Sequence, residues 1–243
     1  MNFLIQTIDG KVKHDFSFTL IQSLDYHNWI NNDKKAKYRL VNDLSKVNKP
    51  YYTPIGSVEF VSEYLQKFYG IQPKPLNVPD DLNQTWITHR HIINGTDKDI
   101  SGQKFAKSND KIKGITGLCS DCLGMPEGNY QISDVIDIVS EWRCFVYDGK
   151  LVGLSNYSGD FTLFPSIWKI NEMINAYKSA PIAYTLDVGI NVYSDGNEYT
   201  FVIECHEFFS CGLYGFADHK ILPIMFIRAF NEIIKKYSNV SLS

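Results

Sequence analysis

The chain has 243 residues, 44% of them hydrophobic and 14% aromatic, which is a globular composition long enough for one large domain or two small ones. Its formal charge of −3 gives no broad electrostatic affinity for nucleic acid or an anionic membrane surface. No apolar run is long enough to cross a bilayer, and Asp9 interrupts the N-terminus too early for a signal-peptide core. With an odd number of cysteines, five, the expected state is reduced thiols in a cytoplasmic protein.

In chain order, residues 1–30 read as a strand pair, or a strand, followed by a short helix (FLIQTIDGKVKHDF, then SFTLIQSLDYHNWI). Asn31 to Lys37 is a polar loop. Residues 52–70 predict a turn and a helix, with Ser57 as N-cap, Gly70 as terminator, and Val58, Val61, Tyr64, Leu65 and Phe68 at helical spacing. Three prolines in seven residues, Pro73, Pro75 and Pro79, mark a connector. From Thr85 the pattern turns β-rich. TWITHRHIIN and QKFAKSND are strand candidates, KIKGITGLCSDCLGMPEGN is glycine-rich and irregular, and a hairpin is expected about Asp148-Gly149. FPSIWKINEMINAYKSA predicts a helix with Ile167, Ile170, Ile174 and Tyr177 on one side. ILPIMFIRAFNEIIKKY predicts a closing amphipathic helix with Lys235 and Lys236 in its last turn.

The segment YTLDVGINVYSDGNEYTFVIECHEFF, Tyr184 to Phe209, predicts a β-hairpin about Asp195-Gly196, a favoured two-residue turn. That centre makes Asp187 and Glu204 cross-strand neighbours and sets Thr185 opposite His206. The other face would hold Leu186, Val188, Ile190 and Val192 opposite Cys205, Ile203, Phe201 and Tyr199. Paired carboxylates repel unless a positive group sits between them, and a divalent cation such as Mg²⁺ takes such hard oxygen ligands. Two exposed acids on a solvated face are the structural alternative.

Three further patterns carry chemistry. In FAKSNDKIKGITG, Lys107 leaves a short apolar stretch and precedes a loop with Lys111, Lys113, Gly114, Thr116 and Gly117. Such loops let backbone N–H groups approach phosphates, although the Walker spacing is absent and Lys/Gly surface loops are ordinary. SEWRCFV places Glu141 and Arg143 on one strand face, either as a local ion pair or as a fork for oxyanions. Cys119-x-x-Cys122 lacks the second ligand pair of a zinc site and the βαβ context of a redox pair, so incidental thiols are the better reading. His14, His27, His89, His91 and His219 are scattered without an HExxH pattern, and neither GxSxG nor GxGxxG occurs.

Taken in order, the Lys107 strand with the Lys113–Gly117 loop, SEWRCFV, YTLDVG and VIECHEFFSCGLYGF resemble an ATP-grasp domain. The resemblance is to a clade of small ATP-grasp proteins found in phages and bacteria. HDFSFTL and PIGSVEFV resemble the region that precedes the domain there. The resemblance implies an α+β fold in which two lobes hold ATP between antiparallel sheets, with a small N-terminal α/β region over 1–82. The ATP-grasp domain would span 83–243, with lobes of about 83–130 and 131–243.

The resemblance also implies roles. Lys107 would contact the ATP phosphates, with Arg90 as a second cation at the nucleotide. Lys113, Gly114, Thr116 and Gly117 would close over the phosphates. The strand around Ile132 to Asp137, with Ser133, Val135 and Asp137, would run along the adenine. Arg143 would face the transferring phosphate, and Asp187 and Glu204 would hold Mg²⁺. The family usually closes its metal motif as Glu-x-Asn, whereas this chain has Glu204-Cys205-His206. Imidazole is a poorer ligand for Mg²⁺ than an amide oxygen but acceptable to Mn²⁺. His206 would therefore ligate the metal, orient a metal-bound water, or handle a proton of an incoming amine.

The implied activity is ATP-dependent carboxylate–amine ligation through an acyl-phosphate, on small-molecule or peptide carboxylates and amines. A nucleotide-binding module without ligase activity and a small-molecule kinase are the rivals. Removing Asp187 or Glu204 is expected to abolish ADP formation with little loss of fold.

Overall fold

A computed structural model describes residues 1–121, 124–193 and 195–240. It divides into two compact units. One comprises Met1–Pro73, Pro181–Ala183 and Phe208–Ser243, and the other Lys74–Ala180 with Tyr184–Glu207.

In the first unit, β1 (Asn2–Gln6), β2 (Lys37–Val41) and β3 (Thr53–Ile55) form a parallel sheet in the order β2-β1-β3. Phe3, Leu4 and Ile5 of the central strand are fully buried, as a strand covered on both faces requires. The helices of this unit are α1 (Asp15–Ile30), α2 (Val58–Tyr69) and α5 (Leu222–Val240). The sequence signals for α2 act as expected. The Ser57 hydroxyl accepts the Phe60 N–H, and Gly70 ends the helix in the left-handed region at φ 67°. Such an N-cap is worth about 1 kcal/mol. The helix α5 runs on to Val240, so Lys235 and Lys236 fall short of its last turn.

The second unit holds two antiparallel sheets. The smaller has the order β4-β7-β5-β6, built from β4 (Ile92–Thr96), β5 (Gln103–Ser108), β6 (Thr116–Ser120) and β7 (Asn129–Ser133). The larger has the order β11-β10-β8-β9, from β8 (Ser140–Tyr147), β9 (Lys150–Gly159), β10 (Ala183–Val192) and β11 (Glu198–Glu207). A short helix α3 (Thr85–Thr88) and the longer α4 (Ile167–Ala176) complete it. The main core contains Leu186, Val188, Ile190, Val202 and Cys205 from the long hairpin, with Ile170, Met173 and Ile174 of α4. Ile167, expected on that buried side, is exposed.

Several expectations are corrected. Thr85–Thr88 is helical, not extended. The Gln84 carbonyl accepts both the Ile87 and Thr88 N–H groups, the Thr88 hydroxyl donates to Gln84 and Arg90 carbonyls, and His89 at φ 50° ends the turn. Local side-chain bonding of this kind outweighs the β propensity of the segment. Thr116–Ser120, within the glycine-rich stretch, is a strand because it pairs residue for residue with Gln103–Lys107. Lys37–Val41, where only a polar loop ending at Lys37 was expected, forms β2.

The long hairpin keeps Asp187 opposite Glu204, Leu186 opposite Cys205 and Thr185 opposite His206. Beyond Asp187 a bulge intervenes, so Val188 faces Val202 and Ile190 faces Thr200 instead of Ile203 and Phe201. Phe201 instead opposes Gly189, where a Cβ would come within 2.5 Å of its ring. At the tip, the Tyr193 N–H donates to the Asn197 carbonyl and Gly196 sits at φ 86°, a longer loop than two residues. The odd-membered loop shifts the pairing by one residue and the single bulge residue, Ile203, shifts it back, which is how the register at Asp187 survives while the intervening pairs change.

Candidate active site

The site lies within the second unit, where the smaller sheet presents Lys107 to the larger. Lys107 is the last residue of β5 paired with β6, opposite Thr116. Its ammonium pairs with the carboxylate of Glu204 on β11. Desolvation pushes the Lys107 pKa down to about 8, with Asp187 opposing that shift and Arg143 adding to it. Next to Glu204 in the hairpin ladder is Asp187, 1% exposed. Arg143 grips it as a fork, Nε donating to Oδ1 at 2.8 Å and Nη2 to Oδ2 at 2.7 Å. The flat guanidinium matches two carboxylate oxygens, and the pairing lets both charges stay buried.

His206 Nε2 lies 3.2 Å from Glu204 Oε1 and 3.7 Å from Asp187 Oδ2. Desolvation pushes its imidazole down to about 4, Asp187 opposing and the positive Lys107 and Arg143 assisting. It is therefore neutral at pH 7 and can offer a ring-nitrogen lone pair. Donor atoms of Asp187, Glu204 and His206 all lie within 4.8 Å of one another. Two carboxylates and an imidazole at that spacing fit a divalent cation by donor chemistry.

Beside this cluster is a cavity of about 340 Å³. Arg90, Lys107, Thr116, Ser133, Val135 and Glu204 line it, six residues singled out in the sequence. Lys113, Gly114, Gly117 and Asp137 are not among its lining residues. Gly114 instead closes the loop by donating to the Lys111 carbonyl, and the Asp137 carbonyl accepts from Asn191. The apolar walls, Phe105, Leu118, Ile136, Ile138 and Ile203, were not identified from sequence. Phe105 and Ile203 showed only the alternation of β5 and β11, and Ile136 and Ile138 lie between β7 and β8, outside any strand. Volume and lining suit a planar apolar ligand group with charged groups at one end.

Three supporting residues carried no sequence signal. Asn77, 2% exposed at φ 49°, accepts the Cys205 N–H on its carbonyl at 2.7 Å and donates its side-chain amide to the Ser108 carbonyl at 3.0 Å. It thereby ties the neighbour of Glu204 to the neighbour of Lys107. Gln131 exchanges two 2.9 Å hydrogen bonds with the backbone of Val78. The Tyr157 hydroxyl donates to Glu141 at 2.8 Å, with the Arg143 guanidinium 5.6 Å from the Tyr157 ring centre. Glu141 thus pairs with Tyr157, whereas Arg143 turns to Asp187.

Cys119 is a free, half-buried thiol, and Cys122 lies outside the described residues. Among the described residues, no helix is long and apolar enough to cross a membrane.

Residues 88–224, more than half of the chain, match the family model of an ATP-grasp domain, family 2 of its clade. No curated protein sequence matches the chain. Among solved structures, D-cycloserine synthetase DcsG aligns with a TM-score of 0.55 at 11% identity, over 96% of this chain and 100% of that one. D-alanine–D-alanine ligase from Bacillus anthracis aligns at 0.53 and 15% identity, over 97% and 99%. The same enzyme complexed with ATP aligns at 0.50 and 16%, over 97% and 99%. At these identities the likenesses show the fold.

Proposed function

Because the chain belongs to the ATP-grasp family, we propose that it is an ATP-dependent carboxylate–amine ligase working with Mg²⁺ or Mn²⁺. The observation that carries this reading is the meeting of Lys107 with Glu204, Asp187 and His206 beside an apolar cavity lined by Lys107 and Glu204 themselves. An adenine fits the apolar walls, which leaves the phosphates at the charged end.

In this reading a substrate carboxylate attacks the γ-phosphorus of ATP, giving an acyl-phosphate and ADP. An amine then attacks the acyl carbon, releasing phosphate and leaving an amide. Catalysis of this kind rests on positioning and charge neutralisation. Lys107 places positive charge on the phosphoryl oxygens, and its depressed pKa reflects the dry surroundings in which such charge acts most strongly. Arg143 holds the Asp187 carboxylate in place through two hydrogen bonds, and adds positive charge beside the transferring group. Asp187, Glu204 and His206 would hold the metal, which supplies charge neutralisation for the phosphates. Thr116 lies beside Lys107 at the loop expected to cover the phosphates, and Ser133 and Val135 line the adenine end.

The relatives' own substrates, D-alanine for one and the precursor of D-cycloserine for another by their names, suggest amino-acid-like carboxylates and amines as the first panel. The test is ADP release across such a panel, with the products weighed by mass spectrometry. An amide product supports the ligase. A phosphorylated product assigns a kinase, and ATP binding without ADP release across the panel assigns a binding module.

A further inference from the structure

Neighbouring residues of a regular strand point to opposite faces. Ile203 and Glu204 break that rule, for both line the same cavity. The bulge in the long hairpin is the cause. Between the pairs Asp187–Glu204 and Val188–Val202, β11 carries one residue more than β10, and that residue is Ile203. In a straight register Val188 would face Ile203. Ile203 would then enter the core beside Leu186, and Glu204 alone would face the cavity.

A bulge leaves backbone groups without ladder partners, and unmatched buried carbonyls are costly. β11 is also the edge strand of its sheet, so no further strand can supply them. Arg90 does. Its Nη1 donates to the Val202 carbonyl at 2.7 Å and its Nη2 to the Ile203 carbonyl at 2.9 Å. Nη1 also reaches the Thr88 carbonyl at 3.2 Å. The residues around Arg90 fix its place against β11. The Thr88 hydroxyl donates to the Arg90 carbonyl at 2.8 Å, and the His89 ring lies 4.5 Å from that of Tyr199.

We propose that Arg90 is a positioning residue whose guanidinium fork locks the bulge and so brings Ile203 into the cavity wall beside Glu204. It acts through β11, in place of the direct phosphate contact that the family resemblance implies. The fork matters as much as the charge. Two adjacent carbonyls are bound by two nitrogens fixed in one plane, which an ammonium cannot reproduce. The functional consequence rests on the reading of the cavity as the ATP site.

The test compares Arg90→Met and Arg90→Lys with the parent chain, after folding is checked by circular dichroism. NMR contacts of Val188 with Val202 or with Ile203 report the register. Calorimetry reports the affinity for ATP in EDTA, and Mn²⁺ resonance reports metal binding in the presence of a non-hydrolysable ATP analogue. The expected result for Arg90→Met is exchange of the Val188–Val202 contact for a Val188–Ile203 contact and at least threefold weaker metal-free ATP binding, because Ile203 leaves the cavity wall, with Mn²⁺ binding at saturating analogue within about twofold, because Glu204 stays opposite Asp187. Arg90→Lys should behave in the same way, and it carries the comparison alone if Arg90→Met does not fold.

An unaltered register overturns the proposal, as does full parental behaviour of Arg90→Lys. A tenfold loss of metal-free ATP affinity that lysine restores would make Arg90 a phosphate contact. If the parent chain binds neither ATP nor Mn²⁺, the ligase reading fails, and the register measurement still decides the role of Arg90.

Discussion

Arg143 holds both oxygens of Asp187, at 2.8 and 2.7 Å, and both residues are nearly sealed from water. Breaking one side of a buried pair leaves an uncompensated charge, which typically costs about 3–5 kcal/mol. Arg143→Met should therefore lose stability of that order, measured by urea denaturation. The double change Arg143→Met with Asp187→Leu should recover most of it while ADP formation stays abolished. On this account Asp187→Ala alone should also lose stability, where the sequence led one to expect little loss of fold.

His206 stands where the family usually has asparagine. An amide oxygen is a harder ligand than imidazole. His206→Asn should raise the rate of ADP release with Mg²⁺ relative to that with Mn²⁺, by roughly threefold or more on the scale of a single ligand change. A ratio that does not move would place His206 outside the metal shell.

Lys107 is the cation nearest Glu204. Lys107→Met should slow ADP formation by about a hundredfold or more, the usual cost of removing one preorganised charge donor. Thermal unfolding should change little by comparison, because the charge it loses is one that burial already disfavours. A variant that turns over normally would remove Lys107 from the phosphoryl site.

Asn77 links Cys205 to Ser108 across the two sheets of its unit. Asn77→Gly keeps access to φ 49° and deletes only the side chain, so its cost isolates the amide bonds to Ser108 and Asn109. A loss of about 1–3 kcal/mol is expected in urea unfolding. Asn77→Ala adds backbone strain and should cost more.

Gly189 faces the Phe201 ring at a distance that leaves no room for a Cβ. Gly189→Ala should destabilise by about 1–3 kcal/mol through overpacking. Phe201→Leu in the same chain should relieve part of that cost, which a double-mutant cycle would read.

Much of the larger sheet was legible in the sequence because alternation and turn residues are local signals. The Asp148-Gly149 turn and the Ser57 cap depend on residues a few positions apart, and the Asp187–Glu204 pair on the span of one hairpin. What was missed depends on groups far apart in the chain. The bulge at Ile203 answers to Arg90, more than a hundred residues away, and no spacing rule encodes that contact. Asn77 sits in a proline-rich connector whose composition says only that it is irregular. The cavity wall Phe105 looked like an ordinary strand residue, since one face of a small sheet reads the same whether it meets a core or a ligand, and Leu118 fell in a stretch that its glycines made look irregular.

Cys205 sits between Glu204 and His206 with its thiol fully buried, and desolvation pushes its pKa well up. Such a thiol is silent to alkylating reagents while the strand is closed. It becomes reactive only when β11 parts from β10, so its labelling rate is a clock for the opening of the strand that carries Glu204. Among the described thiols, the half-buried Cys119 would react first and set the scale. The chain therefore holds its own probe of how often the acidic pair comes apart, one that requires no change to its sequence.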